Sequence, residues 1–184
     1  MNESERYDAT TIALHWLVAV LIVCQWASGQ TIDWFAKGAP RVDARSMHLV
    51  IGAAILFSMA VRIWWRLRSG RRLPPANQGI WRVTAQAMHG FLYAAVVAVV
   101  AGGVTTELLR GDSFFGLIHL PKLGGMSPSS EHEWAERLGD LHGLGADLIM
   151  ILALLHALAA LFHHYVSKDG VLRRMALGQD ARQP

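Results

Sequence analysis

Four long apolar segments, separated by polar connections, account for most of the chain. They lie at about residues 10–32, 44–67, 81–107 and 138–165. Each is long enough to cross the hydrocarbon core of a bilayer as an α-helix, which takes about 20 residues. The pattern predicts an all-α integral membrane protein, with residues 1–184 forming a single transmembrane domain built as a four-helix bundle.

Composition supports this class and narrows the chemistry. The chain is 53% hydrophobic and only 17% charged, and no soluble domain of useful size fits between the apolar segments. Its formal net charge is only +3, so a nucleic-acid-binding domain is not expected. The single cysteine, Cys24, excludes an intrachain disulfide, an iron–sulfur cluster and a covalently attached c-type haem.

The distribution of basic residues predicts the orientation. Lysine and arginine are more frequent in the two terminal tails and in the second connection than in the first and third connections. By the positive-inside rule, both termini are expected in the cytoplasm. A cleaved signal peptide ending near residues 27–29 is a competing interpretation, but the acidic N-terminal tail and the long apolar segment disfavour it.

Histidines recur inside the apolar segments at depths that match. His142 and His156 lie on nearly one face of the fourth segment, roughly 21 Å apart along a helix. With the predicted topology, His48 lies at the outer depth of His142. Either His15 or His89 lies at the inner depth of His156, and topology alone does not choose between them.

Ionisable side chains are costly inside a membrane, so these histidines call for an explanation. We interpret them as axial ligands of two stacked, non-covalently bound b-type haems, because bundles place cofactors between facing helices. Zinc is the alternative metal, but it requires four ligands at one depth and these histidines are divided between two. Packing or hydrogen bonding without a metal is the other alternative.

Several motifs give the chain a resemblance to a known family. They are Thr11-x-x-x-His15-Trp16-Leu17, Met47-His48 with Gly52, Val61-Arg62-x-x-x-Arg66-Leu67, His89-x-x-x-Tyr93, Arg110-Gly111 with Phe115-Gly116-Leu117 and Pro121, His142 with His156-Ala157, and His163-His164-Tyr165-x-x-Lys168-Asp169. With these motifs the chain resembles the prokaryotic cytochrome b561 family, in particular its small four-helix diheme members that oxidise superoxide and reduce ubiquinone.

The resemblance implies an oxidoreductase of the bacterial inner membrane with two haem b groups. His48 and His142 would bind the outer haem iron, and His15 and His156 the inner one, which leaves His89 unligated. Electrons would pass from periplasmic superoxide to ubiquinone. Related diheme subunits suggest an alternative, an electron carrier docked to a dehydrogenase or hydrogenase as its redox partner protein. A haem-free scaffold or transporter is a further alternative.

Four residues near the predicted cytoplasmic side have two interpretations each. Arg62 and Arg66 could pair with the propionates of the inner haem, or could orient the helix by extending to the interface. His163 and His164 could hydrogen-bond a quinone headgroup, or could be ordinary interfacial histidines.

Charged residues near the outer side suggest a further hypothesis. Superoxide is an anion, so positive potential at the outer mouth would raise its encounter rate. Arg45, Arg110 and Arg137 are the candidates for this steering. Asp147, a carboxylate within the fourth segment, is expected to be hydrogen-bonded, with a proton route as the alternative.

Overall fold

The computed structural model describes residues 6–75 and 78–176. Within this part of the chain, four helices are long and apolar enough to cross a membrane, which confirms the all-α prediction. They are α1 (Ala9–Thr31), α2 (Ala39–Arg68), α3 (Gly79–Arg110) and α4 (Pro128–Phe162). Two short strands, β1 (Ser113–Phe114) and β2 (Ile118–His119), pair antiparallel between α3 and α4.

Two helices begin five or more residues before the predicted apolar segments. Helix α4 starts at Pro128, ten residues before the predicted span, because Ser127 caps it by accepting a hydrogen bond from Ser130 N. Proline at the first helical position also favours a helix start there. The added turns are polar, so hydropathy alone did not include them. Helix α2 likewise starts at Ala39 rather than residue 44.

The helices form two antiparallel pairs. Helix α1 packs along α2 and α3 packs along α4, whereas the two pairs touch each other much less. A small buried cluster joins all four helices near mid-length, and it consists of Val18, Ile55, Met59, Val96 and Ile149. The interior is therefore packed in the middle and more open toward one end.

Both described ends of the chain meet at one end of the bundle, here called the terminal end. Tyr7 N donates to Arg174 O at 3.3 Å. The Trp16 indole N–H donates to Met175 O at 2.9 Å, and Arg174 Nη1 donates to Pro74 O at 2.7 Å. These bonds tie the start of α1 and the α2–α3 connection to the segment after α4.

The opposite end, here called the hairpin end, holds the α1–α2 and α3–α4 connections. The β1–β2 hairpin lies there, with Ser113 opposite His119 and Phe114 opposite Ile118. Phe115 N donates to the fully buried Ser46 hydroxyl of α2 at 2.8 Å, which fixes this hairpin against the second helix.

At the terminal end, Asp8 connects three segments. Its carboxylate accepts hydrogen bonds from Thr11 N at 2.9 Å, from the Trp65 indole at 2.9 Å and from Arg71 N at 3.0 Å. Burial acts to raise its pKa, but these bonds outweigh burial and lower the pKa of Asp8 to about 2. Asp8 is thus both the N-cap of α1 and a link to the end of α2.

We expect Asp8→Ala to lower the stability of the detergent-solubilised protein by about 1 kcal/mol or more, as for a lost N-cap. Because the pKa of Asp8 is below its usual value of 3.8, the stabilisation is present at neutral pH. It is lost as the pH falls from about 4 toward 2. Thermal unfolding followed by circular dichroism measures both effects. Asp43→Ala, which changes an exposed acid of α2, is the control, and an equal loss in both variants would contradict the capping role.

Candidate functional site

Five of the histidines lie at two levels inside the bundle. His48 of α2 and His142 of α4 form the hairpin level, with ring centroids 6.0 Å apart. His15 of α1, His89 of α3 and His156 of α4 form the terminal level. The mid-length apolar cluster separates the two levels on α4, since Ile149 lies seven residues from each of its histidines.

Hydrogen bonds hold the two rings of the hairpin level with Nε2 unprotonated. His142 Nδ1 donates to Val99 O of α3 at 2.8 Å. His48 Nδ1 donates to the Ser28 hydroxyl at 2.8 Å, and that hydroxyl donates to Gln25 O at 2.7 Å. Metal-binding histidines typically donate their second ring N–H to such an acceptor, which fixes both the tautomer and the ring orientation.

The Nε2 atom of His48 accepts a hydrogen bond from Gln25. The Gln25 amide N–H donates to it at 2.9 Å, while the amide oxygen is buried without a partner among the described residues. A metal that binds His48 Nε2 would therefore replace the hydrogen bond from Gln25. The Gln25 amide oxygen already lacks a hydrogen-bond partner among the described residues.

A cavity of about 860 Å³ opens at this level and is lined by all four helices, including the rings of His48 and His142. Cofactor sites in proteins typically have about 300–1,000 Å³. Gly103 makes room for one ring, because a Cβ there would lie 2.7 Å from His142 Cε1. At Gly29 a Cβ would lie 3.2 Å from His48 Cε1. Small residues on α1 and α3 thus let the imidazoles lie against backbone.

The terminal level contains three imidazoles rather than two. The His156 ring centroid is 6.3 Å from that of His15 and 5.1 Å from that of His89. His15 Nδ1 is buried and has no hydrogen-bond partner among the described residues, whereas His89 is exposed. Both candidates that topology left open therefore lie beside His156.

An arginine lies at the same level. The Arg62 guanidinium is 5.4 Å from the centre of the Tyr93 ring, and within the described ranges no carboxylate pairs with it. It is close enough to interact electrostatically with all three imidazoles. Arg66, one turn further along α2, is exposed. A partly buried cation without an anion is suited to an anionic group at this level.

Within residues 6–75 and 78–176, no group of three or more histidine, cysteine or acidic side chains could hold a metal ion on its own. Pairs of facing imidazoles are instead the set that an iron already held by a macrocycle requires.

A model of one protein family, described as prokaryotic cytochrome b561, matches residues 6–178. The chain belongs to the prokaryotic cytochrome b561 family.

Individual relatives agree with this membership. The chain is 32% identical over 174 residues to "Probable superoxide oxidase CybB" of Yersinia pestis, covering 93% of this chain and 96% of that protein. It is 32% identical over 181 residues to "Cytochrome b562" of Cereibacter sphaeroides, covering 95% and 98%. It is 28% identical over 184 residues to "Cytochrome b561 homolog 2" of Escherichia coli, covering 95% and 93%.

As a member of this family, the chain is a multi-pass bacterial membrane protein of electron transfer, and the family implies haem b as the cofactor. The fit is supported by the cavity between His48 and His142 and by the buried, unpartnered nitrogen of His15.

The histidines considered for quinone lie just beyond α4. Residues His163–Ser167 form a π-helical turn, and such turns are frequent at functional sites. His163 Nδ1 and Asp169 Oδ2 are 2.5 Å apart, and the His163 ring lies 6.4 Å from the Trp81 ring of α3. His164 contacts Tyr165, 4.8 Å between ring centroids, so the two histidines have different surroundings.

The three arginines considered for anion steering are not equivalent. Arg45 and Arg110 line the cavity at the hairpin end, and Arg45 forms an ion pair with Asp112. Arg137 does not line the cavity. It is exposed and pairs with Glu133 at 2.5 Å. Arg45 and Arg110 thus lie together where the cavity opens at the hairpin end, here called the mouth.

Sequence reasoning missed two acids at this mouth, Glu107 and Asp112. Glu107 is buried and lines the cavity, and one of its oxygens has no hydrogen-bond partner within the described part of the chain. The sequence feature that could have identified Glu107 is its position at the end of an apolar segment, one helical turn after Gly103. Asp147, which sequence singled out, accepts hydrogen bonds from Trp26 at 2.8 Å and Gln30 at 3.2 Å.

We expect Gly103→Ala to displace the His142 ring and lower the haem content of the purified protein several-fold. Gly102→Ala is the matched control, because a Cβ at Gly102 would meet nothing within 4 Å. Both changes favour the helix by up to about 1 kcal/mol, so poor helix formation cannot explain a loss. Haem extracted per chain is the measurement. Equal haem content in the two variants would contradict the close packing of His142 on α3.

Proposed function

We propose that this protein is a diheme oxidoreductase that passes electrons across the inner membrane, from superoxide in the periplasm to ubiquinone. His48 and His142 would hold one haem b, and His15 and His156 the other. The observation that carries the proposal is the presence of facing imidazole pairs at two levels, with ring centroids 6.0 and 6.3 Å apart.

Those distances suit a metal placed between two rings. A metal–imidazole bond is about 2 Å long, so two bonds plus half a ring on each side require about 6 Å between centroids. His89 is only 5.1 Å from His156, which is short for this arrangement. The distances therefore support His15 as the partner of His156, in line with the family resemblance, with His89 as a neighbour.

A haem bound by two imidazoles exchanges single electrons and has no open position for a further ligand. The protein would orient the His142 ring through Val99 O and the His48 ring through Ser28. Arg62, and less directly the exposed Arg66, would pair with propionates at the terminal level.

The proposed orientation of the protein in the membrane rests on the distribution of basic residues. The terminal end carries Arg66, Arg68, Arg71 and Arg72, and the positive-inside rule favours the cytoplasm for it. His48 and His142 then face the periplasm, where superoxide would donate. His163, held by Asp169 near the terminal level, is our candidate for contact with the quinone headgroup, with His164 as the second.

Superoxide as donor is supported by the likeness to the probable superoxide oxidase of Yersinia pestis. One observation favours a second candidate, an electron-carrying subunit that receives electrons from a docked protein. At the proposed periplasmic mouth, Arg45 is neutralised by Asp112, and Glu136 and Asp140 also line the cavity. These acids offset part of the positive charge of the arginines at the mouth, which suits a docked protein as donor better than a small anion.

We expect the purified protein to carry two haem b groups per chain, both extractable with acidified acetone. His48→Ala or His142→Ala should remove one haem and block reduction by superoxide. His15→Ala or His156→Ala should leave a haem that superoxide reduces but that no longer passes electrons efficiently to ubiquinone. Pyridine haemochrome assays and stopped-flow spectra provide the measurements.

His89→Ala is the matched control at the terminal level and should retain both haems. If His89→Ala lost a haem while His15→Ala kept two, the assignment of His15 would be wrong. A parent protein with fewer than two haems would overturn the pairing at one level.

We expect Arg110→Ala and Arg45→Ala to slow haem reduction by superoxide several-fold and to weaken its dependence on ionic strength. Only charges within about 8 Å of the mouth act at physiological salt. Arg137→Ala, which breaks an exposed pair away from the cavity, should leave the rate unchanged. A parent rate that does not vary with salt would remove the steering role and favour the docked-protein alternative.

A further inference from the structure

Glu107 is an unusual carboxylate for a transmembrane helix. Only 8% of the residue is exposed, and it lies three residues before the end of α3. Its Oε2 atom is fully enclosed and has no hydrogen-bond partner among the described residues. Buried polar atoms are nearly always paired, so an unpaired carboxylate oxygen calls for a functional explanation.

This oxygen belongs to a side chain that lines the cavity between His48 and His142. Glu107 is one helical turn from Gly103, the residue against which His142 packs. The Glu107 side chain and the two imidazoles therefore line one compartment inside the bundle.

The charges around Glu107 do not neutralise it fully. On its own helix, Arg110 Nη1 lies 3.9 Å from Glu107 Oε1, which is a loose ion pair. From α2, Arg45 is already paired with Asp112, and the Asp112 carboxylate also lies close enough to act directly on Glu107. The other titratable or charged groups that line the cavity are the two imidazoles, Asp33 from the α1–α2 connection, and Glu136 and Asp140 from α4. The surroundings thus hold more acids than arginines.

An electron that arrives between His48 and His142 adds one negative charge to this compartment. At low dielectric, nearby charges interact strongly, and a second negative charge favours the neutral form of a carboxyl group. A carboxylate with a free oxygen can take up a proton without breaking an existing hydrogen bond.

We propose that Glu107 takes up a proton when the haem held by His48 and His142 is reduced. This inference rests on the proposed haem at the hairpin level. The electron comes from the donor, and the proton comes from water at the hairpin end, which Asp112 and Arg110 reach with partly exposed side chains. The proton binds Glu107 Oε2 and is released when the electron leaves, so the charge of the compartment stays constant.

The test is a spectroelectrochemical titration of the purified diheme protein at several pH values. If one proton accompanies one electron, the equilibrium constant for reduction of one haem falls up to tenfold per pH unit, which corresponds to about 59 mV. The midpoint potential of that haem should fall as the pH rises, and the other haem should respond much less. A parent protein with two haems and no pH-dependent potential would overturn the proposal.

Glu107→Gln is the decisive variant, since it removes the titration while preserving size. It should abolish the pH dependence and keep the potential near the value that the parent reaches at low pH. Glu131→Gln is the matched control, because Glu131 is also a buried acid at the hairpin end but is paired with Lys122 at 2.7 Å and does not line the cavity. It should retain the parent pH dependence.

Two further variants keep the test decisive. Glu107→Asp retains a carboxyl group and should retain a pH dependence, even if Glu107→Gln binds haem poorly. Asp112→Asn should also retain it. A dependence that survives Glu107→Gln and disappears in Asp112→Asn would assign the proton to Asp112 and overturn the proposal.

Infrared difference spectra provide a readout independent of potential. Reduction of the parent should produce the C=O band of a protonated carboxyl group, and Glu107→Gln should lack it. Failure of the proposed function is distinguishable, since it would appear first as a haem content below two or as haems retained in the His48→Ala variant.

Discussion

Burial of imidazoles at two depths of an apolar bundle is the constraint on which the rest of this structure depends. A polar ring inside a membrane must be hydrogen-bonded or bound to a metal, or it destabilises the helix that carries it. At the hairpin level, Nδ1 of His142 donates a hydrogen bond to Val99 O, and Nδ1 of His48 donates one to Ser28. The Nε2 atom of His48 accepts a hydrogen bond from Gln25, and both histidines line a cavity between the two helix pairs. The two helix pairs contact each other little around this cavity.

The same constraint explains where the bundle is tied together. The apolar cluster around Ile55 and Ile149 joins all four helices between the two levels. At the terminal end, Asp8 and the segment around Arg174 link the helix ends through hydrogen bonds. These contacts, together with the hydrogen bond from Phe115 N to Ser46 at the hairpin end, hold the four helices together around the cavity.

Much of this could be predicted from sequence because helices have a fixed rise and a fixed angle per residue. The spacing of His142 and His156 was enough to propose two levels, and the depth of His48 was enough to pair it with His142. Sequence could not choose between His15 and His89, because both lie in helices that begin at the terminal end. Only the positions of their rings relative to His156 distinguish them.

The remaining differences have physical causes too. Helix α4 starts early because a Ser-Pro cap, rather than hydropathy, determines its first turn. The pairing of Arg137 with Glu133 and of Arg45 with Asp112 depends on side-chain geometry, which a count of charges does not contain. Glu107 was missed because a single acid at the end of an apolar segment looks like an ordinary helix boundary.

A further feature concerns how the facing rings are oriented. The imidazole planes are inclined by 77° at the hairpin level and by 73° between His15 and His156. A ferric haem held between two such nearly perpendicular imidazoles would give a strongly anisotropic low-spin signal in electron paramagnetic resonance. The orientation of the rings therefore gives the two proposed sites a spectroscopic signature.

Low-temperature electron paramagnetic resonance of the oxidised protein tests whether two imidazole pairs each hold one haem. If each pair holds one haem, two strongly anisotropic low-spin signals should appear. One should disappear in His48→Ala and the other in His15→Ala. A single low-spin signal, or a high-spin signal in the parent protein, would contradict this arrangement.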